Sequence, residues 1–175
     1  EGILDDNEKR AFELSQVSKI SKEKPNLLPY KHLVTLAQSK TNLNEIIEAL
    51  ERSGEVKDID ENKLENRIKC IKQWIKNYAP ESVVFEIQKE KPNIEFDDLQ
   101  NKCIKLLIEK MKEVEWSPEG IHNSFYELQE QNNIPAKNFF KIMYNVLLNK
   151  ERGPRLGFFL ATMNKDFIIK RLESY

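Results

Sequence analysis

Residues 60–80 read D-E-N-K-L-E-N-R-I-K-C-I-K-Q-W-I-K-N-Y-A-P, and this stretch decides the fold class. Leu64, Ile68, Ile71, Ile75 and Tyr78 recur at steps of three and four, the spacing of a helix with one buried face. Asp60 stands where an N-cap carboxylate accepts an orphan amide of the first turn, and Pro80 cannot continue the helix. Trp74 lies beside the stripe.

The pattern repeats in both directions. Residues 8–22 carry sparse apolar positions (Ala11, Phe12, Leu14, Val17, Ile20), as a partly exposed connecting helix does. Pro29 opens a helix with Leu33, Leu36 and Ala37 on one face, and Asn42 or Asn44 caps the next, which carries Ile46, Ile47 and Leu50 and stops at Ser53-Gly54. Residues 82–89, S-V-V-F-E-I-Q-K, read as a short extended segment or a weak helix. Asp97 or Asp98 starts a helix that turns Leu99, Cys103, Leu106, Leu107 and Met111 inward and runs to Trp116. Ser117-Pro118-Glu119 is a strong start signal for a helix burying Ile121, Phe125 and Leu128. Pro135 opens another, whose Phe139, Phe140, Met143, Val146 and Leu147 cover a wide arc. After the break at residues 151–154 a last pair carries Leu156, Phe159, Leu160 and Met163, then Phe167, Ile168 and Leu172. The expected fold is all-α, a helical bundle or α-helix cage divisible into two helical subdomains, 29–115 and 116–175, with 1–28 as a connecting segment.

Composition narrows the class. In 175 residues there are only 5 Gly, 33% are charged, and no apolar run approaches the length that crosses a bilayer. A cytosolic helical protein is the default expectation. Cys70 and Cys103 lack a second Cys or His at zinc-site spacing, so both read as small core residues and no metal site is expected. The chain starts at Glu1 with no basic or hydrophobic leader, and is expected to be a piece of a longer one.

The total of 28 Lys and Arg against 29 Asp and Glu gives a net charge of -1, which excludes a polycation that coats nucleic acid. The charge is unevenly placed, however. Residues 134–175 carry Lys137, Lys141, Lys150, Lys165, Lys170, Arg152, Arg155 and Arg171 against Glu151, Asp166 and Glu173, a net +5, and the remainder is -6. Such asymmetry marks a localised anion-binding face; solvated helix surface is the plainer reading of each single Lys. Within this third, Pro154 suits the first turn of a helix. That places Gly153 at the N-cap and leaves the amides of Arg155, Leu156 and Gly157 without helical partners. Flanked by Arg152 and Arg155, they form a cradle for a phosphate or a base edge, unless the segment is merely a Gly-Pro corner between packed helices. Tyr144, Phe140 and Tyr126 add aromatic faces on which single-stranded bases stack. Tyr144, at the edge of the apolar arc, is the one expected to point outward.

Residues 139–160, F-F-K-I-M-Y-N-V-L-L-N-K-E-R-G-P-R-L-G-F-F-L, resemble the C-terminus of class I lysyl-tRNA synthetases. So do D-F-I-I-K-R-L at 166–172, P-Y-K-H-L-V at 29–34 and W-I-K-N-Y-A-P at 74–80. The ordered blocks span roughly residues 29–175. Asn149 stands where that family usually has Gly, and Asn tolerates the left-handed conformation such a turn needs.

The resemblance implies an all-helical cage gripping the anticodon stem-loop of lysine tRNA, with no DNA or membrane partner, as a monomer in the cytoplasm. In the related glutamyl-tRNA synthetases the loop matching residues 153–156 contacts the middle anticodon base, and the position matching Tyr144 contacts the third. Lysine and glutamate anticodons share the middle uridine, and a Tyr in place of the glutamyl Arg fits a third base that is uridine rather than cytosine. The implied RNA-binding residues are therefore Tyr144, Arg152, Gly153, Pro154, Arg155 and Leu156, with phosphate contacts at Lys137, Lys141 and Lys150.

Catalysis is not expected in this chain. The resemblance places amino-acid activation, with its ATP, on a Rossmann-type domain bearing two signature motifs, and no βαβ pattern occurs here. Lys19-Ile20-Ser21-Lys22 resembles one of those motifs only superficially, and His32 and His122 read as helix-surface or helix-start residues. No cofactor is expected. The competing class is a helical protein-interaction scaffold working through its acidic first two-thirds.

Overall fold

The computed structural model describes Arg10 and residues 28–53 and 59–175. Most of the expected connecting segment 1–28, the Lys19-Ile20-Ser21-Lys22 stretch and Gly54 lie outside the described residues. Among those described there are eight helices and no strand: α1 (Tyr30–Ser39), α2 (Leu43–Ser53), α3 (Glu61–Asn77), α4 (Asp98–Glu113), α5 (Pro118–Asn132), α6 (Ala136–Leu148), α7 (Leu156–Ala161) and α8 (Lys165–Glu173). The all-α expectation is borne out.

Local chemistry sets the boundaries. Asp60 accepts the Lys63 amide at 3.1 Å, and Asn42 accepts that of Glu45 at 3.0 Å. Asp97 and Gln100 form a reciprocal capping box, Ser117 accepts the Gly120 amide with Pro118 at the first position, and Asn164 accepts that of Phe167. α5 and α6 end on asparagines in the left-handed region, Asn133 (φ 54°) and Asn149 (φ 52°). The turn expected of Asn149 is thus present, since its short amide side chain lowers the cost of that conformation.

Two apolar clusters form. One gathers Leu33, Leu36, Ile46, Leu50, Leu64 and Ile71 from α1–α3; the other joins Cys103, Leu107, Phe125, Phe139, Val146 and Ile168 from α4, α5, α6 and α8. The short helix α7 connects them, because Phe158 enters the first cluster and Phe159 the second. At the same joint the Lys40 ammonium donates to the Thr162 carbonyl at 2.5 Å. Desolvation there, followed by repulsion from Arg52, holds the Lys40 pKa below its ordinary value.

Residues 82–89 are neither helix nor strand: a turn at 81–83, in which the Val83 amide donates to the Pro80 carbonyl at 2.9 Å, leads into an irregular stretch over 84–88. Phe85 packs edge-on to Phe159 and its amide donates to the Gln38 side chain at 2.9 Å, while the Gln88 amide donates to Leu147 O at 2.8 Å. The buried Arg171 guanidinium donates to the carbonyls of Val146, Gln88 and Lys89, so the segment is fastened along its length.

Several positions differ from expectation. Cys103 is buried but Cys70 is exposed, since two residues past Ile68 is about 200° around the helix. Tyr78 lies beyond the end of α3 and is 78% exposed, and Leu99, in the first turn of α4, is 48% exposed. α4 stops at Glu113 rather than reaching Trp116. His32 sits in the first turn of α1 but is buried, stacked on Phe158.

Candidate nucleic-acid interface

The sequence-predicted residues converge only in part. Tyr144, one turn from the end of α6, donates its hydroxyl proton to the Pro154 carbonyl at 2.6 Å. The approach is possible because residue 153 is glycine: a Cβ there would lie 2.8 Å from the Leu148 side chain and from two atoms of the Tyr144 ring. Tyr144 is therefore not the outward-pointing ring the sequence led us to expect. It is half-buried with its proton committed, and desolvation raises its pKa, so the phenol stays neutral across the physiological range.

The corner also differs from the expected cap. α7 begins at Leu156 with Arg155 as the N-cap, so neither Gly153 nor Pro154 belongs to the helix. Arg155 is held extended (φ -54°, ψ 110°), and its carbonyl takes the Phe159 amide at 2.9 Å. The first-turn donors left over are those of Leu156, Gly157 and Phe158. The Leu156 side chain is itself buried in the core, which leaves it only its backbone to offer a ligand. Arg152, Gly153 and Arg155 are exposed.

The predicted phosphate-binding lysines fare unequally. Lys137 is exposed on α6. Lys141 pairs with Glu151 at 2.6 Å and lowers that carboxyl's pKa by hydrogen bonding and charge. Lys150 donates to the Val84 carbonyl at 2.6 Å and serves to fasten the irregular segment 84–88.

Two cavities flank the corner, and Arg155 and His32 line both. One, of about 400 Å³, is bounded by Tyr144, Phe140, His122, Leu156, Gly157 and Phe158. The other, of about 450 Å³, is bounded by Tyr30, Trp74, Gln38, Val83 and Pro154. Tyr30 and Trp74 meet edge-to-face at 6.1 Å, and His32 lies parallel to Phe158, 3.9 Å away. Gly157 lets α7 cross α5 closely, since a Cβ there would lie 2.4 Å from the Pro118 carbonyl oxygen. An exposed guanidinium thus stands between two aromatic-walled recesses, each large enough to take a planar heterocycle. Sequence reasoning missed Tyr30, His32, Trp74 and His122 as site residues. For Tyr30, His32 and Trp74 the one signal lay in the blocks 29–34 and 74–80, whose meeting requires α1 and α3 to pack; His122 lies in neither block. Among the described residues no three His, Cys, Asp or Glu side chains gather as a metal site, and no helix is long and apolar enough to cross a membrane.

A family model described as an anticodon binding domain matches residues 71–175, a span that includes Trp74, Tyr144 and the whole 152–156 corner. The chain belongs to that family. Among its relatives is the lysine–tRNA ligase of Picrophilus torridus, 34% identical over 174 residues that cover 99% of this chain and 34% of the relative. That of Thermococcus kodakarensis is 35% identical over 172 residues, covering 94% and 32%, and that of Borrelia garinii subsp. bavariensis 35% over 171 residues, covering 95% and 32%. The resemblance drawn from residues 29–34, 74–80 and 139–172 is borne out. The chain spans about a third of the length of the curated relatives it matches.

Proposed function

We propose that this chain is the anticodon-recognition region of a class I lysine–tRNA ligase, acting in the cytoplasm as a monomer on the anticodon stem-loop of lysine tRNA. Amino-acid activation, with its ATP, belongs to a catalytic domain elsewhere in the parent protein. The observation that carries this reading is the placement of Arg155 between two aromatic-walled cavities, within a family named for anticodon binding. Bases splayed out of a loop enter such recesses by stacking, worth roughly 1–3 kcal/mol each, and the corner backbone presents polar groups to their edges. In this reading residues 153–156 meet the middle uridine and Tyr144 the third base. Arg152, Arg155 and Lys137 are exposed and supply the positive potential for the phosphates. Lys141 joins them by exchanging its Glu151 partner for a phosphate, whereas Lys150 holds the strap beneath.

The test is a titration of lysine tRNA at several salt concentrations. Log affinity is expected to fall with log salt at about 0.7 per single-strand phosphate contacted, and Arg155→Ala to weaken binding at every salt. Binding that is independent of salt and indifferent to Arg155→Ala overturns the reading.

A further inference from the structure

We infer that the nucleic-acid site extends past the corner into a third recess, walled by Tyr30, Trp74, Asn66, Arg67 and Cys70, which holds the first anticodon base by stacking. The recess, of about 390 Å³, is lined by α3 and the start of α1. Its place follows from shared walls. The cavity beside Tyr144 and the one beside Pro154 are divided by His32 and Arg155, which line both. The second of these and the third recess are divided by Tyr30 and Trp74, which again line both. The first cavity and the third recess share no residue. The three therefore lie in a row that crosses from α6 and α7 over α1 to α3, and the α1–α3 cluster supplies a wall of the site as well as a support.

Aromatic faces and charge suit this row to a single strand. Tyr30 and Trp74 meet edge to face, their planes 72° apart, so only one of their four ring faces is covered by the partner ring, where a stacked pair would cover two. Tyr30 is 49% exposed. Stacking on such a ring needs the face of a base and no particular base edge. Each recess also has a cation: Arg155 in the first, Lys31 in the second and Arg67 in the third. Arg67 spends one N–H on the Leu28 carbonyl at 3.2 Å, which leaves the rest of its fork for a phosphate oxygen. Among the described residues that line the second and third recesses there is no carboxylate, so an anionic backbone crossing them meets no like charge.

The inference rests on the anticodon reading above, in which Tyr144 meets the third base and residues 153–156 the middle one. Tyr144 lines the first cavity, and Gly153, Pro154 and Arg155 line the second. One step further along the row is one nucleotide back toward the 5′ end, the first anticodon position. Lysine codons end in either purine, so the first anticodon base differs among lysine tRNAs. A recess that holds a base by its face serves them all.

The experiment uses the thiol already in the recess. Cys70 is exposed there and Cys103 is buried, so reaction of the intact chain with a chromogenic aromatic disulfide reports on the recess. A saturating anticodon stem-loop of lysine tRNA should slow that reaction at least about fivefold, and the same stem-loop made abasic at the first anticodon position should not. Loss of that base should weaken binding about tenfold, within the worth of one base on an aromatic face, while uridine and cytidine there should bind within about twofold of each other. Trp74→Ala should weaken the unmodified stem-loop about tenfold and the abasic one about twofold or less, because the stack is already gone. The thiol and abasic arms use the unaltered protein and do not depend on how the variant folds. Cys70 reacting as fast in the saturated complex as in the free chain, the abasic stem-loop binding as tightly as its parent, a tenfold preference between uridine and cytidine, or Trp74→Ala weakening both RNAs equally overturns the third recess while leaving binding at the corner intact. No binding of the unmodified stem-loop overturns the reading beneath it, and the recess with it.

Discussion

His32 and Phe158 stack with ring centroids 3.9 Å apart and planes 11° from parallel, joining the first turn of α1 to the middle of α7 across 126 residues of chain. Both line the cavity beside Tyr144, and Phe158 is the α7 side chain that enters the α1–α3 core. The stack therefore sets how the two clusters meet, and with it where Arg155 stands.

Phe158→Ala should cost about 3 kcal/mol, as truncation of a buried aromatic does, and should weaken tRNA binding by more than the unfolded fraction accounts for. Chemical denaturation and a titration on the same sample check both. Unchanged affinity in a destabilised protein would show that the joint does not position the site.

The two close glycines should respond unequally. Gly157→Ala drives a methyl to 2.4 Å from the Pro118 backbone oxygen, whereas Gly153→Ala meets only side chains, those of Leu148 and Tyr144, at 2.8 Å. Backbone cannot step aside as a side chain can. Gly157→Ala is expected to lose about 2–3 kcal/mol and Gly153→Ala about 1 kcal/mol, with the latter losing binding out of proportion because the Tyr144 ring must move. Thermal unfolding of both variants gives the order.

Arg171 is 7% exposed and satisfies three carbonyls at once. Arg171→Ala leaves those of Val146, Gln88 and Lys89 without that donor, for a loss of about 3 kcal/mol. Arg171→Lys should recover little of it, since an ammonium does not reproduce the planar fork. Hydrogen exchange should locate the damage, with residues 84–90 opening first.

Acid should act through three carboxylates. Glu45, held by the Thr41 amide and hydroxyl, Asp60, held by the Lys63 amide, and Glu151, held by Lys141, all have lowered pKa values. A carboxyl whose pKa is lower folded than unfolded contributes stability that is present above its unfolded value and is lost as pH falls through the folded one. The midpoint of thermal unfolding is thus expected to be level from pH 7 down to about 4.3 and to decline below it. Glu45→Gln should lower the neutral plateau and make the decline shallower.

What was legible in the sequence was what short-range chemistry decides. Asp60, Asn42 and Ser117-Pro118 each act on amides within three residues, and Asn149 takes its left-handed turn alone, so spacing revealed them. Tyr144 and the 152–156 corner were legible as neighbours along two consecutive helices. Their geometry was not, because the start of α7 is decided by Phe158 and Phe159 entering opposite clusters and by a hydroxyl ten residues upstream. Tyr30, His32 and Trp74 become cavity walls only through the packing of α1, α3 and α7, which no local pattern encodes. Lys150 read as a free cation because its partner, the Val84 carbonyl, lies 66 residues away.

The most direct test of anticodon recognition is a side-by-side titration of this chain with lysine tRNA, the same tRNA with its middle anticodon uridine changed to cytidine, and an unrelated tRNA, at one moderate salt concentration. Lysine tRNA should bind at least about tenfold more tightly than either of the others, the margin of roughly 1.4 kcal/mol that one base-edge contact supplies. Equal binding to all three would contradict it.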